Sequence, residues 1–446
     1  MLRKTLERLN KNNLLLESDV EVDPEYEMGA VLKYFDNKMP MLFHNVKGHS
    51  MPVAGALYGD RDIIYELLQM NRQDRIYKFM DSIANPQPYK IVKDGPVKEN
   101  IITRNIDLEN FMPINRFHEK DSSTYITAGV MVVKDPGTGK YFTSIRRLQV
   151  NGRNEVSTLI ASPKLTQDFL NLEKLNKPLE VAIIFGYDAP LLMASQMSSA
   201  LYGVDKYEID SSLRGEAIEL VQCESVDLLV PASAEIVLEG RIIPGKREIE
   251  GPFGELMGYY GSVGPHPIME VDVITHRNNP IYQTAFPCRE EHVSNGLIRE
   301  VELFYHLKNQ VDVVDVHVTE GGGYRFNAFI SIKKKKDGDG KTAILAALGL
   351  NKDLKQVVIV DEDVDIYDLQ DGEWAVTTRS QASLDFSIVQ GALGSPLEPS
   401  HSLRGVTDKV GIDATKPLKD ENGNFHRAII PGYDNIDIYK YFPKLK

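Results

Sequence analysis

From Tyr125 the chain turns into runs of apolar and β-branched residues: Tyr125-Ile-Thr-Ala-Gly-Val-Met-Val-Val133, and, after Asp135-Pro-Gly-Thr-Gly139, Tyr141-Phe-Thr-Ser-Ile-Arg-Arg-Leu-Gln-Val150. Two such runs about a Pro-Gly turn predict a β-hairpin. Further short runs at 179–185, 217–222, 234–238, 267–274 and 280–285 continue the series. Their density predicts a barrel-like β unit in the middle of the chain. Before it, residues 1–110 mix helical spacing with short apolar runs such as Met41-Leu-Phe43, as an α/β segment would. Behind it, Leu297, Val301, Phe304 and Leu307 follow the cap-like Ser294-Asn295 at helical spacing, which puts a β-to-α boundary near residue 305. The last third alternates strand runs (311–318, 328–332, 356–360) with a helical one (342–348). The expected fold class is α+β: a central barrel-like β unit over 111–305, flanked by α/β segments over 1–110 and 306–446.

Composition narrows the function. The 446 residues carry 51 Lys and Arg against 64 Asp and Glu, a net charge of −13, which speaks against nucleic acid as a partner. Cys223 and Cys288 stand far apart, without metal-ligand spacing or a disulfide framework. The first residues, Met1-Leu-Arg-Lys-Thr-Leu-Glu-Arg-Leu9, lack a signal-peptide core, and no stretch approaches a membrane span, so a cytoplasmic protein with no membrane partner is expected.

Candidate chemistry sits in Glu250-Gly-Pro-Phe-Gly-Glu255. Pro252 and the glycines forbid a regular helix or central strand, so the segment bends and can aim both acids at one place. Like charges held close push one pKa up and keep a proton available, as a general acid needs. Spacing alone leaves open a surface turn with two solvated glutamates. In the hairpin, Arg146 and Arg147 interrupt an apolar strand; side chains alternate, so one faces inward and needs an anionic partner, either an inter-strand carboxylate or a ligand. Gly137-Thr-Gly-Lys140 lacks the glycine spacing and following Ser/Thr of a phosphate loop. His44 and His49 remain unassigned, and Lys333–Lys336 runs into a turn at Asp337-Gly-Asp-Gly340.

Six motifs in order make the chain resemble the UbiD family of reversible decarboxylases over nearly its whole length: Ser144-Ile-Arg-Arg-Leu-Gln149, Ser211-Ser-Leu-Arg-Gly215, Val230-Pro-Ala-Ser-Ala-Glu-Ile-Val-Leu-Glu-Gly240, Glu250-Gly-Pro-Phe-Gly-Glu255, Trp374-Ala-Val-Thr-Thr-Arg379 and Lys409-Val-Gly-Ile-Asp-Ala-Thr-Lys-Pro417. The resemblance implies a split barrel that binds prenylated FMN, a flavin prenyltransferase as its supplier, and a C-terminal segment used in a homodimer or homohexamer. Loss of CO2 from an sp2 carbon needs an electron sink, which the modified flavin provides. By position, Arg147 matches the arginine that bonds the flavin and orients the leaving carboxylate, Glu255 the acid that protonates the substrate carbon, and Glu250 the partner that holds Arg147. Ile145, Arg146, Lys164, Lys206 and Arg379 fall among the cofactor-binding positions.

One departure concerns metal. Much of the family holds manganese or another divalent cation, and potassium, against the cofactor phosphate, using an Asn and a Glu where this chain has Phe142 and Lys206. Neither residue ligates a hard cation. The expectation is that Lys206, with Lys164, neutralises the phosphate instead, Glu208 being the ligand a shifted register would restore. Leu256 and Arg289-Glu-Glu-His292 are expected near the substrate, with His292 and Arg299 on the solvent face of the following helix. Furan or pyrrole carboxylates lead as substrates, phenolic benzoates follow. The alternatives are a split-barrel FMN oxidoreductase and a non-catalytic flavin-binding subunit of a multisubunit carboxylase.

Overall fold

The fold is taken from a computed structural model, which describes residues 1–160, 163–197, 203–287, 289–401, 403–420 and 423–445; Cys288 lies outside them. Among the described residues, six antiparallel strands close into a barrel: Tyr125–Lys134, Tyr141–Val150, Glu155–Thr158, Gly264–His276, Ile236–Glu250 and Leu179–Phe185, the last pairing back onto Tyr125–Lys134. The hairpin is the one the sequence predicts, with Lys134 opposite Tyr141. Its turn is closed by Asp135, whose Oδ1 accepts from Gly137 N at 2.7 Å and Thr138 N at 3.0 Å. Leu148, Val156, Ile183, Leu238, Met269 and Val271 belong to one buried apolar cluster. Alternation along the strands is what gathers them.

Ile236–Glu250 is long enough to pair with strands on both sides, and its register shifts at Glu239/Gly240. A Cβ on Gly240 would fall 1.9 Å from Glu270 O, so glycine is what lets the two backbones meet there. Glu250 ends this strand.

Two predicted strands lie elsewhere. Glu219–Gln222 pairs with Leu229–Pro231 and Lys90–Ile91 in a separate sheet, and Tyr282–Gln283 adds to the N-terminal sheet of Leu16–Ser18, Met41–Phe43 and Val53–Gly55. Both runs are apolar because they are buried, which periodicity cannot distinguish from a barrel position. Asn100–Ile102 in turn pairs with the barrel strand Gly264–His276.

The helix Glu290–Leu307 buries Leu297, Val301, Phe304 and Leu307 as expected, but starts before Ser294. Glu290 and Glu291 fill its first turn, where the helix dipole favours acids, and Ser294 Oγ donates to Glu291 O at 3.0 Å within the helix. Beyond it a five-stranded sheet runs in the order Val313–Val318, Asn327–Ile332, Gln356–Asp361, Val406–Ala414, Phe386–Leu393. No helix among the described residues is long and apolar enough to cross a membrane.

Candidate active site

Arg147 projects from the hairpin strand toward the end of Ile236–Glu250. Its Nε lies 3.1 Å from Glu250 Oε1 and its Nη2 3.2 Å from Oε2, a side-on fork. Its Nη1 meets Glu255 Oε1. Glu250 is 1% exposed, Arg147 15% and Glu255 13%, so the fixed charge has one acid buried behind it and one partly exposed beside it. The guanidinium also lies 5.0 Å from the Phe253 ring centroid. Three of the predicted residues are thus brought together.

The loop between the acids is shaped by its backbone partners. The Gly251-Pro252 peptide is cis and Gly251 has φ +91°, a conformation that favours glycine. Gln149 Oε1 accepts from Gly251 N at 2.9 Å, Tyr125 Oη at 2.7 Å and Ser122 Oγ at 2.7 Å, while its Nε2 donates to Ile249 O at 3.1 Å. Ser122 N donates to Pro252 O. Asp121 Oδ1 accepts from Gly254 N at 3.0 Å. Phe253 packs on Tyr125, ring centroids 4.3 Å apart. Gln149 lies in the Ser144–Gln149 motif, whereas Asp121 lies in none of the six motifs and carries no spacing signal that points to the loop. His266 Nε2 stands 3.8 Å from Glu250 Oε2; burial lowers its pKa against the upward pull of Glu250, which keeps the imidazole neutral near pH 7.

Arg146 faces away from Arg147. Its Nε donates to Ser144 Oγ at 3.1 Å, and among the described residues it forms no ion pair with a carboxylate. Burial lowers its pKa to about 10. A half-buried guanidinium that forms no ion pair with a carboxylate among the described residues fits an anionic ligand such as a phosphate. Ile145, on the same strand, packs against the apolar cluster outside the barrel.

Lys206 begins the helix Lys206–Arg214 and is buried. Its Nζ donates to Ala194 O at 2.8 Å and also meets the carbonyls of Ser195 and Met197, at the end of the helix Ala189–Gln196. Burial brings its pKa down to about 7. Phe142 packs beside the barrel's apolar cluster. An ammonium and a phenyl ring supply no oxygen for a divalent cation, so these residues do not fit the family's metal. Glu208 is half-buried, and burial followed by the neighbouring Asp205 raises its pKa.

Lys164 is 42% exposed and already paired, 2.8 Å from Asp135 and 2.5 Å from Asp168. Arg379 ends the helix Leu369–Arg379 beside the C-terminal sheet, away from the barrel, its guanidinium held by Asp361 at 3.1 Å and Asp363 at 2.8 Å. His292 and Arg299 are not on a solvent face: His292 is buried and Arg299 half-buried where the helix meets the C-terminal segment, and Arg299 bonds Asn351 at 3.0 Å and Asp353 at 2.9 Å. Leu256 and Met257 pack against the turn at Gly323.

Three family models match in order: the N-terminal domain of 3-octaprenyl-4-hydroxybenzoate carboxy-lyase over residues 6–83, its Rift-related domain over 90–290 and its C-terminal domain over 292–414. The anhydromevalonate phosphate decarboxylase of Methanothermobacter thermautotrophicus is 35% identical over 94% of this chain and 97% of its own. The phenolic acid decarboxylase of Bacillus subtilis is 31% identical over 94% of this chain and 93% of its own. Among solved structures, the UbiD-class enzyme HmfF from Pelotomaculum thermopropionicum in complex with FMN superposes with a TM-score of 0.96 at 42% identity, covering 99% of both chains. Its evolved dimeric form in complex with prFMN gives 0.91 at 40%, again over 99% of both.

Proposed function

Given that the chain belongs to the UbiD family of carboxy-lyases, we propose that it removes CO2 from an aromatic or heteroaromatic carboxylic acid, furan or pyrrole carboxylates foremost, with prenylated FMN as its cofactor. The observation that carries this reading is the Glu250–Arg147–Glu255 array, in which one fixed cation is gripped side-on by one acid and touched by another at the cleft.

When bound, prenylated FMN supplies the electron sink for the pair left behind by departing CO2. Arg146 and Lys206 would hold its phosphate, the first because it is a half-buried cation with no carboxylate ion pair among the described residues, the second by turning its buried ammonium from the carbonyls of Ala194, Ser195 and Met197 to the anion. Lys164 joins them only by leaving Asp135 and Asp168. Ile145 and Arg147 would border the ring. Arg379, bound to its aspartates, takes a structural role in the C-terminal sheet.

Glu250 uses both oxygens on Arg147, which leaves Nη1 to the cleft. An incoming substrate carboxylate competes with Glu255 for that nitrogen, and its planar fork fixes the direction in which CO2 leaves. Glu255, displaced from the guanidinium, can carry the proton that replaces CO2 on the carbon. Phe253 and Tyr125 close the loop's inner side against water.

Among the described residues after 428, Ile429, Ile430, Tyr433, Tyr441 and Phe442 are exposed, an apolar set that fits burial against further copies in a homo-oligomer. Co-expression with a flavin prenyltransferase, mass analysis of the bound flavin, and CO2 release from furan-2-carboxylate, pyrrole-2-carboxylate, 4-hydroxybenzoate and anhydromevalonate phosphate test the reading. CO2 from the ring acids supports it. Release from anhydromevalonate phosphate alone assigns a phosphorylated aliphatic acid instead, in keeping with the 35% identity to such decarboxylases.

A further inference from the structure

We propose that Asp121 is a positioning residue for the reaction: its carboxylate pins the backbone one residue before Glu255 and so fixes where that acid delivers its proton. The inference rests on the decarboxylase reading above.

Asp121 is buried, and it spends its carboxylate on backbone donors from two segments. Oδ2 accepts from His118 N at 2.9 Å and Phe117 N at 3.3 Å, within its own turn. Oδ1 reaches across to Gly254 N at 3.0 Å. The turn is itself held, because Arg116 donates to Asp121 O through Nε at 3.1 Å and Nη2 at 2.7 Å. Two more contacts tie the same turn to the same loop: Ser122 N to Pro252 O at 3.0 Å, and Lys120 N to Tyr260 Oη at 3.1 Å. Contact with His118 fixes the loop's distance as well as its direction. A Cβ on Gly254 would lie 2.3 Å from His118 Nδ1, so the chain passes there only as glycine.

Glu255 follows directly, its own N–H bonded to Tyr259 O at 2.7 Å. A hydrogen bond to an ionised acceptor is stronger than a neutral one, and proton transfer is steep in geometry. Slackening Gly254 therefore moves the acid while leaving the Arg147–Glu250 fork and Arg146 in place.

The test compares wild type, Asp121→Asn and Asp121→Ala, each co-expressed with the flavin prenyltransferase, on whichever acid of the panel the wild type turns over fastest. Flavin absorbance and thermal midpoint are recorded beside kcat and KM. The expected result is a kcat lower by roughly 10- to 100-fold with KM and flavin absorbance little changed. The loss is smaller for Asn, whose amide oxygen can still accept from Gly254, than for Ala. An unchanged kcat overturns the proposal. So does loss of the folded flavoprotein in both variants, for the carboxylate would then serve the fold and not the acid. A wild type that releases CO2 from no acid of the panel fails the decarboxylase reading instead, a result separable from either of these.

Discussion

Arg147 and Glu250 meet side-on, Nε to Oε1 at 3.1 Å and Nη2 to Oε2 at 3.2 Å, across 103 residues of chain. A two-point contact fixes the plane of the guanidinium as well as its place, which a single bond would not. Glu250 is nearly wholly buried, so the energetic case for the pair depends on each charge having the other.

Replacing Glu250 with Gln leaves the half-buried Arg147 against a neutral amide that can accept only one of its two bonds. The expected cost is about 3 kcal/mol of stability. Turnover falls by ~100-fold or more, because the arginine loses its set orientation toward the substrate carboxylate. Thermal unfolding and steady-state kinetics of the flavin-loaded variant check both.

Lys206 yields a pH signature. Burial puts its folded-state pKa at about 7, below the usual 10.5. Between those values the unfolded chain holds a proton that the folded chain lacks, so this group makes the cofactor-free protein more stable as pH rises from 7 toward 10, with its full penalty present below 7. Lys206→Met removes that slope in chemical denaturation curves measured across the range, and it lowers flavin retention by roughly tenfold if the ammonium meets the phosphate. The same proteins settle the metal: with Phe142 and Lys206 at the ligand positions, elemental analysis of flavin-loaded wild type is expected to find no stoichiometric manganese.

Much of this architecture was legible in the chain because it is written locally. Apolar, β-branched runs about a Pro-Gly turn marked the hairpin Tyr125–Lys134 and Tyr141–Val150, and Gly-Pro-Phe-Gly between two acids announced a bend. Arg147 was readable as a charge in need of an anion. What escaped depends on distant partners. Asp121 binds Gly254 over 133 residues and Gln149 binds Gly251 over 102, and a side chain that accepts from a backbone N–H leaves no spacing pattern. Tyr282–Gln283 read as another barrel strand because apolar runs look alike in any sheet, yet its partner is Val53–Gly55. Arg299 read as a solvent-facing charge, and only the fold reveals that Asp353 waits beside it. The ion pairs of Arg379 are likewise invisible until the C-terminal sheet brings Asp361 and Asp363 under its helix.

The most direct test of the account is CO2 release by Glu255→Gln set beside wild type, both carrying the mature flavin. Gln keeps the size of the side chain and a hydrogen bond to Arg147 but has no proton to give, so the flavin spectrum should persist while turnover drops by roughly 1000-fold. Turnover at the wild-type rate would contradict the assignment of the acid and the mechanism built on it.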